Sequence, residues 1–485
     1  VHKRIDIKIE VLLVLKTNVA HNSVSSEVSF FYGERYTTIV SYVIPEIITA
    51  LLLVSLPALF DSYCVLKLQC TSAYAALGIA NGLWHLLAKL SEAFSVAVVV
   101  IAGQCNGLRQ FSSVGYIVKN TFWVAFVLGM LFSLALFFAA PSIYMWYGVT
   151  DAVLNYGVSY LRIRAISVFF MFVYCAFVGF LRGIKNTKVP MLITGVGALL
   201  FMVTDYIFVV GIPGLPSYGF LGSAVASAVQ YGAMMLMAGL YVLWEPDHRK
   251  YAIKLFTFSG NHLFIKDVFS LSSWVAIDKV AFAAAYVWLC KMICYMGTNM
   301  SATYEMVKTL ERIAFVPALA CAQVMTTLVS NDYGIGHWNG IRANIERVMI
   351  LAVSFVLPVL SIIVINRRYI LGKLVTIPEL QESCARVLPF LTILVLCDLI
   401  QVILSAALRG AANVKIVMLV RLSVLFLYFI PVSYFITQMP LQDNVVKFTL
   451  VYGSLYGGAA IMACIYLHRF YGHTWKNYGI KENNI

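Results

Sequence analysis

Charge is scarce in this 485-residue chain. Asp, Glu, Lys and Arg together make up 12%, against roughly a quarter in ordinary soluble proteins. A soluble protein of this size could not cover its surface with so few charges. That excludes a soluble enzyme, a disordered chain, a coiled coil and a secreted disulfide scaffold. The ten cysteines are scattered, mostly inside apolar runs, with no CxxC pair at zinc spacing. They read as small packing residues without a disulfide framework. HExxH, P-loop and GxGxxG patterns are missing, so ATP-driven transport by this chain is unsupported. No Asp-rich loop cluster is present to hold magnesium pyrophosphate, which argues against a membrane prenyltransferase. The chain is expected not to be an enzyme and to need no cofactor.

Hydrophobic residues, by contrast, make up 61%. They gather in runs long enough for helices to cross a bilayer core of about 30 Å. Backbone polar groups in lipid must be paired internally, so such runs read as helices. The expectation is an all-α membrane protein with twelve transmembrane helices, near 37–60, 73–102, 117–140, 160–181, 189–212, 219–243, 268–290, 301–330, 344–365, 387–408, 414–437 and 447–468. A basic leader (1–36, with an apolar patch at Val11 to Leu15), a basic linker (244–267) and a tail (469–485) surround two blocks, 37–243 and 268–468. The net charge of +13 fits the gathering of Lys and Arg in cytoplasmic loops better than nucleic-acid binding. Most basic residues fall on the leader, the even-numbered connections and the tail, which predicts both termini inside. Arg367, Arg368, Lys373 and Arg386, on the ninth connection, are the exception.

The blocks repeat at a spacing near 227 residues. Residues 180–190 read Phe-Leu-Arg-Gly-Ile-Lys-Asn-Thr-Lys-Val-Pro, and 407–417 read Ala-Leu-Arg-Gly-Ala-Ala-Asn-Val-Lys-Ile-Val, so Leu, Arg, Gly, Asn and Lys recur in register. Each copy joins the fourth and fifth spans of a six-span block. Two six-helix halves with a site between them are a mark of secondary transporters, and an even helix number puts the symmetry axis along the membrane normal.

Ionisable residues inside spans are costly unless paired or hydrated, which makes them candidates for function. Asp61 ends the first span, four residues after Pro57; Asp205, Asp278 and Asp398 lie in the fifth, seventh and tenth. A carboxylate whose exposure changes can load and release a proton or a sodium ion. Asn81, His85, Lys89 and Glu92 share one face of the second span, and Glu305, Lys308 and Arg312 one face of the eighth, where Glu311 also occurs. Both stripes are expected to line a central hydrated cavity. The competing reading is internal pairing of Lys89 with Glu92 and of Glu305 with Lys308.

From about 37 to 468 the chain resembles the multidrug and toxic compound extrusion (MATE) family of the MOP flippase superfamily. The likeness rests on Leu181-Arg-Gly-Ile-Lys-Asn-Thr-Lys-Val-Pro190, Asp205-Tyr206, Gly222-Ser-Ala-Val-Ala-Ser227 and Cys397-Asp398-Leu-Ile-Gln401, followed by Leu408-Arg-Gly410. The resemblance implies two pseudo-symmetric six-helix lobes around a V-shaped cavity. It also implies cation coupling at Asp398 and Asp61, and N-lobe site positions at Asp205 and Ser227, with Gln401 in support. Phe201, Phe282 and Leu394 depart from the polar residues the family pattern places there, and Asp278 lies one turn before Phe282. The implied function is efflux of organic, cationic or drug-like solutes in exchange for protons or sodium, by a monomer in the bacterial inner (plasma) membrane that binds no nucleic acid. A lipid-linked oligosaccharide flippase is the rival, because Lys89, Lys308 and Arg312 are cationic; a channel or receptor is a more distant one.

Overall fold

A computed structural model describes residues 33–68, 70–211, 217–255, 262–374, 377–472 and 474–477. The leader before residue 33, the apolar patch at Val11 to Leu15 and the end of the tail lie outside the described residues. Among those described, helices account for all regular structure, and twelve are long and apolar enough to cross a bilayer. The first runs as Tyr36–Ala50, a wide π turn at Leu51–Ser55, and Leu56–Lys67. The second to sixth are Thr71–Gly107, Phe111–Trp146, Asp151–Gly183, Lys188–Asp205 (continued by a π turn, Tyr206–Val210) and Phe220–Trp244. The seventh to tenth are His262–Cys294, Thr298–Gly334, Trp338–Ile365 and Pro378–Gly410. The eleventh is Val414–Val424 with a π turn at Leu425–Phe429 and Ile430–Gln438, and the twelfth is Asn444–Tyr471.

The internal repeat extends well beyond the five matched residues. Four helices end in a left-handed residue at equivalent positions: Arg109 (φ 59°) and Gly336 (φ 69°) after the second and eighth, Lys185 (φ 63°) and Ala412 (φ 59°) after the fourth and tenth. In each case the next residue's N–H bonds back to a carbonyl five residues earlier: Gln110 to Cys105, His337 to Asp332, Asn186 to Leu181, and Asn413 to Leu408. These are helix-closing motifs of the Schellman type, and three of the four use a side chain where glycine is usual.

The Arg of each repeat copy is held by an acid on the first helix of its own half. Arg182 Nε and Nη2 donate to Glu46 Oε1 and Oε2 at 2.7 and 2.6 Å. Arg409 Nη2 donates to Asp278 Oδ2 at 2.7 Å, and Arg421 Nε donates to Oδ1 of the same carboxylate. Glu46 and Asp278 are 3% and 1% exposed. Removing one member of a buried pair strands the other charge, at a cost of about 3–5 kcal/mol, whereas replacing both by apolar groups is often neutral. Glu46→Gln is therefore expected to lower the thermal unfolding temperature of the purified protein clearly, and Glu46→Leu with Arg182→Leu to restore much of the loss. Equal losses in both would show that the pair is not what the substitution breaks.

Each half also lends its first helix to the other. Ile39 and Val43 of the first span pack into the apolar core formed by the eighth, ninth, tenth and twelfth. Val268 of the seventh packs into the core of the second, third, fourth and sixth, and Val275 packs against Ala93, Val96 and Val100 of the second.

Candidate functional site

The two halves come into close backbone contact where the second and eighth helices end. A Cβ on Gly107 would stand 2.1 Å from the Asn331 carbonyl oxygen, and one on Gly334 would stand 2.2 Å from that of Gln104. These four residues form two pairs 227 apart, so the contact is a two-fold crossing. Asn331 Nδ2 donates to the Gly183 carbonyl at 2.9 Å, and Gln104 Nε2 reaches the Gly410 carbonyl at 3.5 Å. Each half thus clasps the repeat glycine of the other. Asn106 Nδ2 adds a bond to Asn331 Oδ1 at 2.8 Å.

A polar belt surrounds this end. Lys185 Nζ lies 2.7 Å from Glu34 Oε1. Arg347 donates to the Glu34 carbonyl at 2.6 Å, and Asn344 Oδ1 accepts from the Glu34 N–H at 2.8 Å. Burial pulls the Lys185 ammonium pKa down, but the Glu34 and Asp332 carboxylates more than reverse this and leave it above its ordinary value. A raised pKa contributes stability that is complete below the unfolded value, about 10.4. That contribution is lost only as pH rises through the folded value, so Lys185 keeps its charge at neutral pH.

Away from the clasp the second helix presents an open face. A Cβ on Gly78 or Gly82 would meet nothing within 4 Å, and both share the helix face of His85 and Lys89. His85 and Arg312 are exposed, and Lys89 and Glu305 are 57% and 63% exposed. Arg312 of the eighth helix lies within electrostatic reach of His85, as do Lys89 and Arg164. Both short-range pairs form, Lys89 to Glu92 at 3.0 Å and Lys308 to Glu305 at 3.3 Å. Glu92 is shared across the halves: Lys279 of the seventh helix approaches it at 2.8 Å and Gln323 of the eighth donates to it at 3.1 Å.

Asp61 is 4% exposed in the first half. A chain of side chains leads from it to the open face. Arg164 Nη1 donates to the Tyr160 hydroxyl at 2.8 Å, that hydroxyl lies 3.2 Å from Ser223 Oγ, and Ser223 donates to Asp61 Oδ1 at 2.6 Å. Arg164 Nη1 also donates to Asn81 Oδ1 at 2.7 Å and stacks over Trp84 at 4.8 Å. Asp205 is fully buried with no partner at normal hydrogen-bond distance on either carboxylate oxygen; the Cys64 thiol is near it. Ser227 is buried one turn beyond Ser223 on the sixth helix.

In the second half, Asp398 opens onto a cavity of about 40 Å³ lined by Phe282, Tyr286, Arg421, Tyr456 and apolar groups. That volume has room for about two or three waters. Gln401, one turn along, is fully buried, and neither of its amide atoms has a partner at normal hydrogen-bond distance among the described residues; the Tyr466 hydroxyl is near it. Asp278, on the same helix as Phe282, is held instead between Arg409 and Arg421.

Glu311 is the residue that helix-face counting passes over. It lies between Val307 and Ala314 on the buried face of the eighth helix. The Tyr452 hydroxyl donates to its Oε2, while its Oε1 is buried with no partner at normal hydrogen-bond distance among the described residues; the Tyr456 hydroxyl is near the carboxylate. Tyr304 and Tyr452 pack with ring centroids 5.8 Å apart, and Tyr452 and Tyr456 at 5.7 Å. Glu311 and Asp398 lie within electrostatic reach. The signal in the sequence is an acid interrupting an apolar stripe. Among the described residues no three His, Cys, Asp or Glu side chains converge as a metal cluster.

Twelve spans, an internal two-fold and buried acids on both sides of it define a membrane transporter of the two-repeat class. The MatE family model matches residues 45–207 and 276–435, and the chain belongs to that family. It is 22% identical over 379 residues to a protein of Mannheimia succiniciproducens named "Probable multidrug resistance protein NorM", covering 76% of this chain and 79% of that one. A Thermotoga maritima protein of the same name is 20% identical over 416 residues, covering 82% and 89%. Two solved structures, each 18% identical and each covering 92% of this chain and 98% of the other, superpose with a TM-score of 0.81. One is of MATE in the straight conformation; the other, a MOP superfamily transporter from Pyrococcus furiosus, is described by the words "reverse polarity of binding pocket suggests different function". The chain is a multi-pass integral membrane protein and a transporter, not an enzyme.

Proposed function

We propose that the protein is a multidrug-type efflux antiporter that exchanges its solute for protons or sodium by alternating access, acting as a monomer in the plasma membrane with both termini cytoplasmic. In that orientation the Gln104–Gly410 and Asn331–Gly183 clasp closes the cytoplasmic side and the cleft opens outward. Asp61 with Asp205, and Asp398 with Glu311, are the ion-loading groups. Asp278 serves to hold Arg409 and Arg421.

The observation that carries this reading is the side-chain relay from Asp61 to Asn81. Arg164 can only donate, so Tyr160 accepts from it and donates toward Ser223, which donates to an ionised Asp61. Loading a proton or sodium at Asp61 removes the charge on which that direction depends, and the change reaches the solute-facing helix through Arg164. Ion and solute then oppose one another, as exchange requires.

The test is efflux from proteoliposomes with proton and sodium gradients imposed separately. One of the two ions is expected to drive uphill transport. Tyr160→Phe, which cuts the relay but keeps the ring, should lower the coupled rate about tenfold or more, the equivalent of one hydrogen bond to a charged group. Solute flux indifferent to both gradients would contradict the proposal and favour a channel.

A further inference from the structure

The cleft's charge is uneven in a way that coupling chemistry does not require. Three cations act on His85: Lys89 on its own helix, Arg164 on the fourth and Arg312 on the eighth. The acids nearby are committed. Glu92 is divided between Lys89 and Lys279 and also accepts from Gln323. Asp61 is buried behind Ser223. Glu305 lies two turns outward of Arg312, about 10 Å along the helix, and is paired with Lys308. Arg312 stands on the exposed face in none of the described ion pairs, and an unpartnered guanidinium at membrane depth is costly unless something is meant to meet it. Beside these cations, the surface at Gly78 and Gly82 has open space above it, and Leu86 and Leu319 are 45% and 47% exposed.

From this arrangement we infer that the transported solute carries an anionic group, a carboxylate, sulfonate or phosphate, on an apolar body. Arg312 and Lys89 grip the anion from the two halves, and His85 donates or accepts between them. A guanidinium fork suits two oxygens of such a group. The apolar body lies along the Gly78–Gly82 face. Because the grip spans both halves, it is made only while they hold this separation, so solute binding senses the conformation. The inference rests on the transporter reading above and names the class of its solute.

The experiment uses full-length protein in proteoliposomes loaded with one of two dyes of similar size, a fluorescein carboxylate or a cationic rhodamine. Fluorescence polarisation of the same dyes with the detergent-purified protein is measured alongside. The fluorescein is expected to bind and move in preference to the rhodamine. Arg312→Gln and Lys89→Gln should each weaken its binding about tenfold and leave the elution profile of the protein unchanged, since both side chains are exposed. Arg312→Glu should shift preference toward the rhodamine. Displacement of bound fluorescein by a water-soluble aromatic carboxylate, or only by a phosphate-headed single-chain lipid, assigns the anion to a free solute or to a lipid.

Rhodamine moved in an Asp398-dependent way, with fluorescein neither bound nor moved, would overturn the anion inference and leave the transporter standing. Fluorescein bound through Arg312 while neither dye moves under any gradient would overturn the transporter and leave the anion site. Binding unchanged in Arg312→Gln, Lys89→Gln and Arg312→Glu overturns the inference outright.

Discussion

Asp398→Asn is expected to yield a folded protein that no longer moves solute uphill, with the coupled rate down about a hundredfold or more. Asp278→Asn is expected to fail earlier, at folding. Both residues are aspartates in the second half, and both come near Arg421, but their surroundings set opposite outcomes. Asp398 faces a cavity with room for a few waters, and asparagine there keeps the volume while removing a charge from low dielectric. Burying that charge was a cost, so the neutral variant is at least as stable as the parent. It has no charge to lose or regain, however, and a tenfold ion gradient worth about 1.4 kcal/mol can no longer be harvested at that position.

Asp278 is 1% exposed and takes charge-assisted hydrogen bonds from two arginines. Its replacement leaves both guanidiniums short of a counter-charge, at a cost of about 3–5 kcal/mol. Thermal unfolding of purified protein separates the two cases, and dye efflux is then read only on variants that fold. An Asp398→Asn protein that still concentrates solute, or an Asp278→Asn protein as stable as its parent, would falsify the division of labour between these acids.

The fold is largely legible in the sequence because one energetic rule dominates it. A backbone in lipid must satisfy itself, so hydropathy alone places all twelve helices within a few residues at most ends. The repeat is legible only where it has kept side chains, at Leu181-Arg-Gly and Leu408-Arg-Gly. Gln104 and Asn331 perform the same task with different residues, and Arg109 matches Gly336 in backbone conformation with no chemical likeness. A two-fold built from main-chain geometry leaves little trace in residue identity.

The site is legible in part. Helix-face arithmetic brings together His85, Lys89 and Glu92, and places Glu305, Lys308 and Arg312 on a second face. It cannot say that Lys279 reaches across to Glu92, because that depends on how the seventh helix crosses the second. It also passes over Glu46 and Glu311. Glu46 lies well inside the first span, and its role is plain only with Arg182 beside it. Glu311 differs from Arg312 by one position, about 100° around the helix, which turns one side chain inward to the tyrosines and leaves the other on the exposed face. Asp278, grouped with the coupling acids by residue type and depth, is distinguished only by its two arginine partners.

Gly107→Ala together with Gly334→Ala should shift the protein away from the clasped state by a large factor. Each new methyl would meet a backbone carbonyl of the opposite half, at 2.1 and 2.2 Å, and no side-chain rotation relieves such a contact. Overpacking of this kind costs about 1–3 kcal/mol per site. If the two costs add, the equilibrium between the clasped and opened forms moves by about 30-fold to 10⁴-fold. The Gln104 and Asn331 bonds to the opposing glycine carbonyls lengthen at the same time and add to the bias.

A cysteine introduced at Asn106, between the halves at the clasp, is expected to react faster with a membrane-impermeant maleimide in the double variant than alone, with the unmodified chain as background. Gly78→Ala is the control: a Cβ there meets nothing, so reactivity at position 106 should not change. Faster labelling from the clasp side with slower transport would mean that the clasp is a gate whose closure is part of the cycle. Unchanged labelling in the double variant would mean that the second and eighth helices already stand farther apart here than 2.1 Å implies, and that the two-fold crossing is not what holds this end shut.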